Sequence, residues 1–364
     1  MNNTTMNSTN IEIDINNNQI YLIGLINYLN KTISQFGLGI IWIVGNIGSI
    51  FTCIVFSQPA FHKSPCAMYF FASSFSQFFV FNFALLTRML QFGYNIQVVN
   101  TVFWFCKIRY YLFYVFVATS RYNIILASID RYFASSREAL RRQWSSPKIA
   151  LRLIISNALL WIIIYSQVLI FYDIHNGSCS PQPGSYGTFF SIYISIDSGI
   201  LPLSIMLIFG LLTVNNVRQN KRLIKPSIAN IYDGPVRVSR VSKKDTQLYR
   251  MLANQILLFI VLNIFNPCYL LYQASTIYTL KSPLRRAIEL FINNASYILV
   301  YLGFALTFTN FIVSSGIFRR EFQQFIQTKI LRRPPLNITP VETPVRSIST
   351  TDARNRNNLN KEKL

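Results

Sequence analysis

The chain has 364 residues, 51% hydrophobic and 13% charged, with 34 Lys and Arg against 13 Asp and Glu, for a formal net charge of +21. Half-apolar composition with so few charges argues against an ordinary soluble domain and for several membrane spans. The positive excess does not point to nucleic acid. Lys and Arg gather in 131–152, in 218–250 and after Phe318, between or beyond apolar runs, with no zinc spacing, phosphate loop or recognition-helix signature.

In chain order, residues 1–33 are rich in Asn and carry Asn-x-Ser/Thr sequons at Asn2, Asn3, Asn7 and Asn30. They are expected to form an extracellular, glycosylated tail. A basic region followed by an apolar core is missing at the start, so the first span is expected to act as the insertion signal. Seven apolar stretches follow, at roughly 34–57, 67–91, 106–132, 149–171, 190–214, 250–274 and 291–316. Each should be a helix, because a helix satisfies its backbone polar groups within the segment. The connections 58–66, 133–148 and 215–249, the flanking helix ends and the tail hold most of the positive charge. The other connections carry little apart from Lys281, Arg285 and Arg286. The positive-inside rule then puts the N-terminus outside and the C-terminus in the cytoplasm. The expected fold is an all-α membrane protein, a seven-transmembrane helix bundle over 34–317.

Lys221-Arg222, Lys243-Lys244 and the breaks at Pro226, Gly234 and Pro235 mark 215–249 as a loop joining inward extensions of helices five and six. Phe318, Phe322 and Phe325 recur at i, i+4 and i+7, which predicts a short amphipathic eighth helix within 318–333, lying on the inner membrane surface. From 334 to 364 the chain is polar, with Thr339, Thr343, Ser347, Ser349, Thr350 and Thr351, and is expected to be a disordered cytoplasmic tail open to phosphorylation. None of the five cysteines forms a C-x-x-C pair, so no metal site is expected. Cys53 and Cys268 fall inside apolar spans and Cys66 near an inner end. Only Cys106 and Cys179 fall at the outer face, where oxidation is permitted.

The stretch Cys106–Tyr132 organises the rest. Cys106 and Arg131 are 25 residues apart, on the order of 37 Å along a helix. They therefore sit near opposite faces of a bilayer ~40–45 Å thick with its headgroups. A cysteine at one end and Asp130-Arg131-Tyr132 at the other resemble the third transmembrane helix of rhodopsin-like (class A) G-protein-coupled receptors. Gly45-Asn46, Trp161, Pro202, Pro267 and Phe318-Arg319 fit that family's landmarks in order, over roughly 34–325. The resemblance implies a disulfide between Cys106 and Cys179. It also implies that Arg131 is held by Asp130 at rest and contacts a heterotrimeric G protein once released. Helices five and six would bend at Pro202 and Pro267 during activation. Arrestin, a receptor kinase and membrane lipids follow as further partners.

Departures from the family pattern bear on function. Gln77 replaces the aspartate that holds a sodium ion; Ser120 keeps one neighbour of that site, while Gly303 and Thr307 replace its asparagines, so weak or absent sodium regulation is expected. The N-P-x-x-Y motif becomes Thr307-Phe308-Thr309-Asn310-Phe311, and Gly210 takes the inner-end tyrosine position of helix five. Gln247 stands at the helix-six position of the acid that often locks the arginine. Either activation differs in detail or coupling is weak.

For the ligand, Phe113 replaces the aspartate of amine receptors and Tyr301 the retinal-binding lysine of opsins, which disfavours both classes. Phe265 matches the aromatic at the floor of the family pocket. Charges within the membrane are functional candidates by default: Arg88, near the outer end of helix two, either meets a ligand carboxylate or carbonyl or snorkels to the headgroups. Arg121 in helix three and Asp197 in helix five are expected to pair in the core. Lys281, Arg285 and Arg286 at the outer surface lean towards a peptide. The function expected is a plasma-membrane receptor that binds an extracellular neuropeptide or small molecule and activates a G protein. A signalling-deficient decoy or scaffold of the same fold and a membrane transporter are the alternatives. No cofactor is expected and no catalysis, with only His62 and His175 and no paired carboxylates.

Overall fold

The computed structural model describes residues 2–332 except 176, 224–242 and 277–278, together with residue 334; side chains are described from residue 17, excluding 220–223 and 243–244. Among the described residues, seven helices are long and apolar enough to cross a membrane: α1 (Asn17–Phe56), α2 (Pro65–Gly93), α3 (Phe103–Ser135), α4 (Pro147–Phe171), α5 (Ser185–Gln219), α6 (Asp245–Ser275) and α7 (Pro283–Ser314). A shorter helix, α8 (Gly316–Phe325), follows. The chain is therefore a multi-pass helical membrane protein.

The first helix differs from expectation. It runs without interruption from Asn2, through a π turn at Ile33–Gly37, into the first span. The Tyr21–Leu29 stretch is apolar enough to extend the span backwards, so α1 starts well before residue 34. Pro226, Gly234, Pro235 and the Ser/Thr tail from Thr339 lie outside the described residues.

Three helices begin on a Ser-Pro step. Pro at the first helical position costs no hydrogen bond, and the preceding serine can accept from the first turn. Ser146 Oγ accepts from Ile149 N (3.4 Å) before Pro147, and Ser282 Oγ accepts from Arg285 N (3.3 Å) before Pro283. Ser64-Pro65 starts α2 in the same way without a side-chain cap.

α3 is buried along most of its length, whereas α4 and α5 expose most of their apolar residues. That places α3 at the centre and the exposed faces against lipid. Close approaches set the helix positions. A methyl group on Gly45 would lie 2.5 Å from the Phe81 ring, and one on Gly199 would lie 2.5 Å from Pro267 Cγ. Gly199 belongs to a π turn (Ile196–Ile200) two residues before the buried Pro202, so α5 is irregular where the α6 proline packs against it.

Two apolar clusters fill the bundle. One surrounds Cys106, Phe113, Tyr165 and Phe190 at what we term the disulfide end. The other surrounds Phe56, Phe70, Met251 and Phe311 at the arginine end. A hairpin, β1 (Tyr172–His175) and β2 (Ser178–Pro181), lies between α4 and α5; Ile174 pairs with Cys179, and Gly177 supplies the left-handed turn at φ +71°. The residues from Gln323 onward form a separate unit, helical as far as Ile330 among the described residues, in which Thr328 Oγ1 donates to Gln324 O at 2.7 Å.

Candidate functional site

Cys106, on the first turns of α3, is bonded to Cys179 on β2. The bond ties the hairpin to the bundle, and Cys179 N also donates to Asn100 Oδ1 (3.0 Å). Beneath the hairpin, the hydroxyls of Tyr114 and Tyr172 share a hydrogen bond of 2.9 Å. Burial raises the Tyr172 phenol well above its ordinary pKa, so it stays neutral.

At the other end of α3, Arg131 is buried and held by two carboxylates. Its Nε and Nη2 donate to Asp130 Oδ2 at 3.0 and 2.7 Å, and its Nη1 donates to Asp245 Oδ1 at 2.9 Å. Asp130 Oδ1 accepts from Ser145 Oγ (2.7 Å), which orients the carboxylate from the α3–α4 connection. Tyr132 packs on Phe209, and its hydroxyl accepts from Arg141 at 3.4 Å.

The helix-six acid is thus present, at Asp245 and not at residue 247. Two residues along a helix are ~200° apart in phase, so Gln247 faces elsewhere: its Oε1 accepts from Ser315 Oγ (2.9 Å) and Ile317 N (2.7 Å) at the α7–α8 turn. The signal of Asp245 visible in the sequence is a lone acid in the first turn of α6 after Lys243-Lys244.

Between the ends lies a layer of buried polar side chains. Gln77 Nε2 donates to Ser73 Oγ (3.3 Å) and Ser120 Oγ (3.2 Å), linking α2 to α3. Gln255 Nε2 donates to Thr307 Oγ1 (3.3 Å) and its Oε1 accepts from Asn310 Nδ2 (2.8 Å), linking α6 to α7. Phe311 is fully buried against Phe56, Phe70 and Phe318, and brings no hydroxyl towards Arg131.

The expected Arg121–Asp197 pair does not form. Asp197 accepts from Tyr122 Oη (2.8 Å) and Tyr165 Oη (2.6 Å), while the Arg121 guanidinium lies 5.5 Å from the centre of the Phe259 ring on α6 and its Nε has no partner. Neighbouring residues on a helix diverge by ~100°, so with Tyr122 facing Asp197, Arg121 turns towards α6.

A narrow cavity at the disulfide end is lined by Phe113, Tyr114, Arg121, Asp197, Asn266 and Tyr297, among others. Phe113 therefore stands where the sequence puts it. Phe265 does not: it is 61% exposed and faces away from the bundle. Pro267 has no N–H for the carbonyl of Asn263, and α6 is interrupted at Ile264. Asn263, Asn266 and Tyr269 form the inward stripe, leaving residue 265 on the lipid face. Tyr301 is fully buried and its hydroxyl has no partner.

Arg88 does not snorkel. It is only 6% exposed; its Nε donates to Asn294 Oδ1 (2.8 Å), its guanidinium carbon lies 4.2 Å from the Tyr297 ring centre, and its Nη2 is unpartnered. Asn294 in turn donates to Asn30 Oδ1 and Ser34 Oγ, both at 2.7 Å. Asn30 is 7% exposed, so the structure buries the side chain of that sequon; the side chains of Asn2, Asn3 and Asn7 lie outside the described residues.

A second buried arginine, Arg109, escapes the sequence analysis because it sits only three residues from Cys106, where a cation reads as a surface anchor. Its Nε donates to Thr87 Oγ1 (3.0 Å) and its Nη2 to Ala84 O (3.2 Å), on the turn of α2 next to Arg88. Lys281 and Arg285, in contrast, share the carboxylate of Glu289 at 2.6 and 3.0 Å, which offsets one charge of the expected basic surface.

Residues 45–312 match the model of the 7 transmembrane receptor (rhodopsin family). The chain belongs to this family. The match spans the disulfide, the Asp130-Arg131-Tyr132 triplet and all of the polar layer of the receptor. No curated protein matches the receptor.

Proposed function

We propose that the receptor lies in the plasma membrane with its N-terminus outside, binds an extracellular ligand from the disulfide end and activates a heterotrimeric G protein at the arginine end. The observation that carries this reading is the Asp130–Arg131–Asp245 clamp, a buried cation held across α3 and α6 beside the basic connections. Separating α3 from α6 would release Arg131 to the partner. Pro267, packed on Gly199, and Pro202, just after the π turn that holds Gly199, give α6 and α5 the irregular segments at which such a movement can begin. Arg88, Phe113 and Tyr301 are the proposed ligand contacts, and an arrestin and a receptor kinase are proposed partners of the Ser/Thr-rich tail. The aromatic residues gathered at the disulfide end suit a neuropeptide or an aromatic small molecule. A neutral Gln77 bound to Ser73 and Ser120 also suits a receptor insensitive to sodium.

The test is nucleotide exchange by purified G proteins with surface-confirmed receptor, against a panel of neuropeptides and monoamines. A response to a panel member that disappears in Arg131→Ala at equal surface level is expected. Ligand binding without exchange on any G protein would overturn the signalling reading in favour of the decoy, which the burial of hydroxyl-less Phe311 favours.

A further inference from the structure

Arg88 and Arg109 are 6% and 4% exposed, and no carboxylate among the described residues pairs with either. Their partners are neutral: Asn294 for Arg88, and Thr87 with the Ala84 carbonyl for Arg109. Aromatic faces supply the rest of their surroundings, with Tyr297 and Phe92 beside Arg88 and Tyr110 beside Arg109. Ring quadrupoles offset part of the lost hydration of a cation. They do not offset the repulsion between two like charges brought to adjacent turns of one helix.

Two buried donor groups here lack acceptors among the described residues, Arg88 Nη2 and the Tyr301 hydroxyl. Tyr301 lies one helical turn along α7 from Tyr297, whose ring covers Arg88, so its hydroxyl belongs to the same cluster. Phe113 and Tyr297 are shared between this cluster and the cavity. A site with excess positive charge and unused donors, walled by aromatic rings, lacks one component: an anion.

We infer that Arg88, Arg109 and Tyr301 form the recognition site for a carboxylate of the receptor's ligand, whose apolar portion packs against the rings of Phe113 and Tyr297. The inference rests on the receptor reading for the existence of a ligand, and adds its chemical class. A guanidinium fork matches the planar pair of carboxylate oxygens, and a phenol hydroxyl adds a third donor. The same site disfavours amines, which would add a further cation.

The experiment is binding to the purified full-length receptor in phosphatidylcholine nanodiscs, so that no anionic headgroup supplies the charge and no G protein is needed. Melting is followed with matched probes: acetate and acetamide, 4-phenylbutyrate and 4-phenylbutyramide, N-acetylphenylalanine and its amide. The aromatic acids are expected to raise Tm by about 2–4 °C at ten times their Kd. Their amides should do nothing at the same concentration. Arg88→Gln and Arg109→Gln should abolish the shift and leave apo Tm unchanged or raised; Arg88→Lys and Tyr301→Phe, which retain the fold, should weaken it. Equal responses to acids and amides, no response to any acid, or a shift that persists in both glutamine variants would each overturn the inference. Because exchange is not measured, a receptor that cannot signal would still return a clear answer.

Discussion

The two ends of the bundle handle buried arginine in opposite ways. At one end Arg131 has carboxylates on both sides, from its neighbour on α3 and from α6. At the other, Arg88 and Arg109 have amides, hydroxyls, a carbonyl and rings, with no acid among the described residues. A paired buried cation is closed to other partners until the pair is broken; an unpaired one is incomplete until something arrives. The contrast separates a latch from a receptor site within one fold. Arg121 lies between, beside the cavity, with a ring and no ion pair.

The sharpest way to break the contrast is Asp130→Ala, which leaves Arg131 buried with only the half-exposed Asp245. Removing one partner of a buried pair costs about 3–5 kcal/mol, so a large fall in Tm is expected; an unchanged melt would mean that the clamp is not structural. Replacing both disulfide cysteines by alanine comes next. The bond closes a separation of 73 residues, and its loss is expected to remove about 2–4 kcal/mol and release the hairpin, read as lower Tm and faster proteolysis between α4 and α5. Arg121→Met should act in the opposite direction. Exchanging an unpaired buried cation for an apolar chain of similar length should stabilise by about 1–2 kcal/mol, and a clear loss of Tm would show that Arg121 has a partner the contrast denies it. The smallest expected effect is that of Asp245→Asn. The Asp245 side chain is 49% exposed, so its pairing is screened and contributes at most about 1 kcal/mol. That still permits a rise of up to ~5-fold in basal nucleotide exchange, and no rise would separate the clamp from the resting state.

Landmarks tied to chain spacing were legible in the sequence. Cys106 and Arg131 are fixed at the two ends of one helix by their separation, and the polar and apolar runs place α2 to α6 within about five residues, while α1 and α7 start earlier, at Asn17 and Pro283. The roles that depend on helix phase were not legible. Arg121 and Tyr122 differ by one residue, as do Phe265 and Asn266, and in each pair it is the neighbour that reaches the inward site; Asp245, two residues before Gln247, supplies the acid that residue 247 lacks. A sequon at Asn30 carries no sign that Asn294, 264 positions away, will bury it.

By itself, the sequence determined that this chain crosses a membrane seven times, which family it resembles, and which positions depart from that family. Those conclusions rest on hydrophobic length, charge bias and local motif, all of which are properties of neighbouring residues. Only the tertiary structure decided which buried charges meet an acid and which do not. That outcome depends on rotations of ~100° per residue about each helix axis, set by close approaches such as Gly199 on Pro267 and Gly45 on Phe81. The joining of Arg88 to Arg109 and Tyr301 came from packing α2, α3 and α7 together, and no local pattern encodes it.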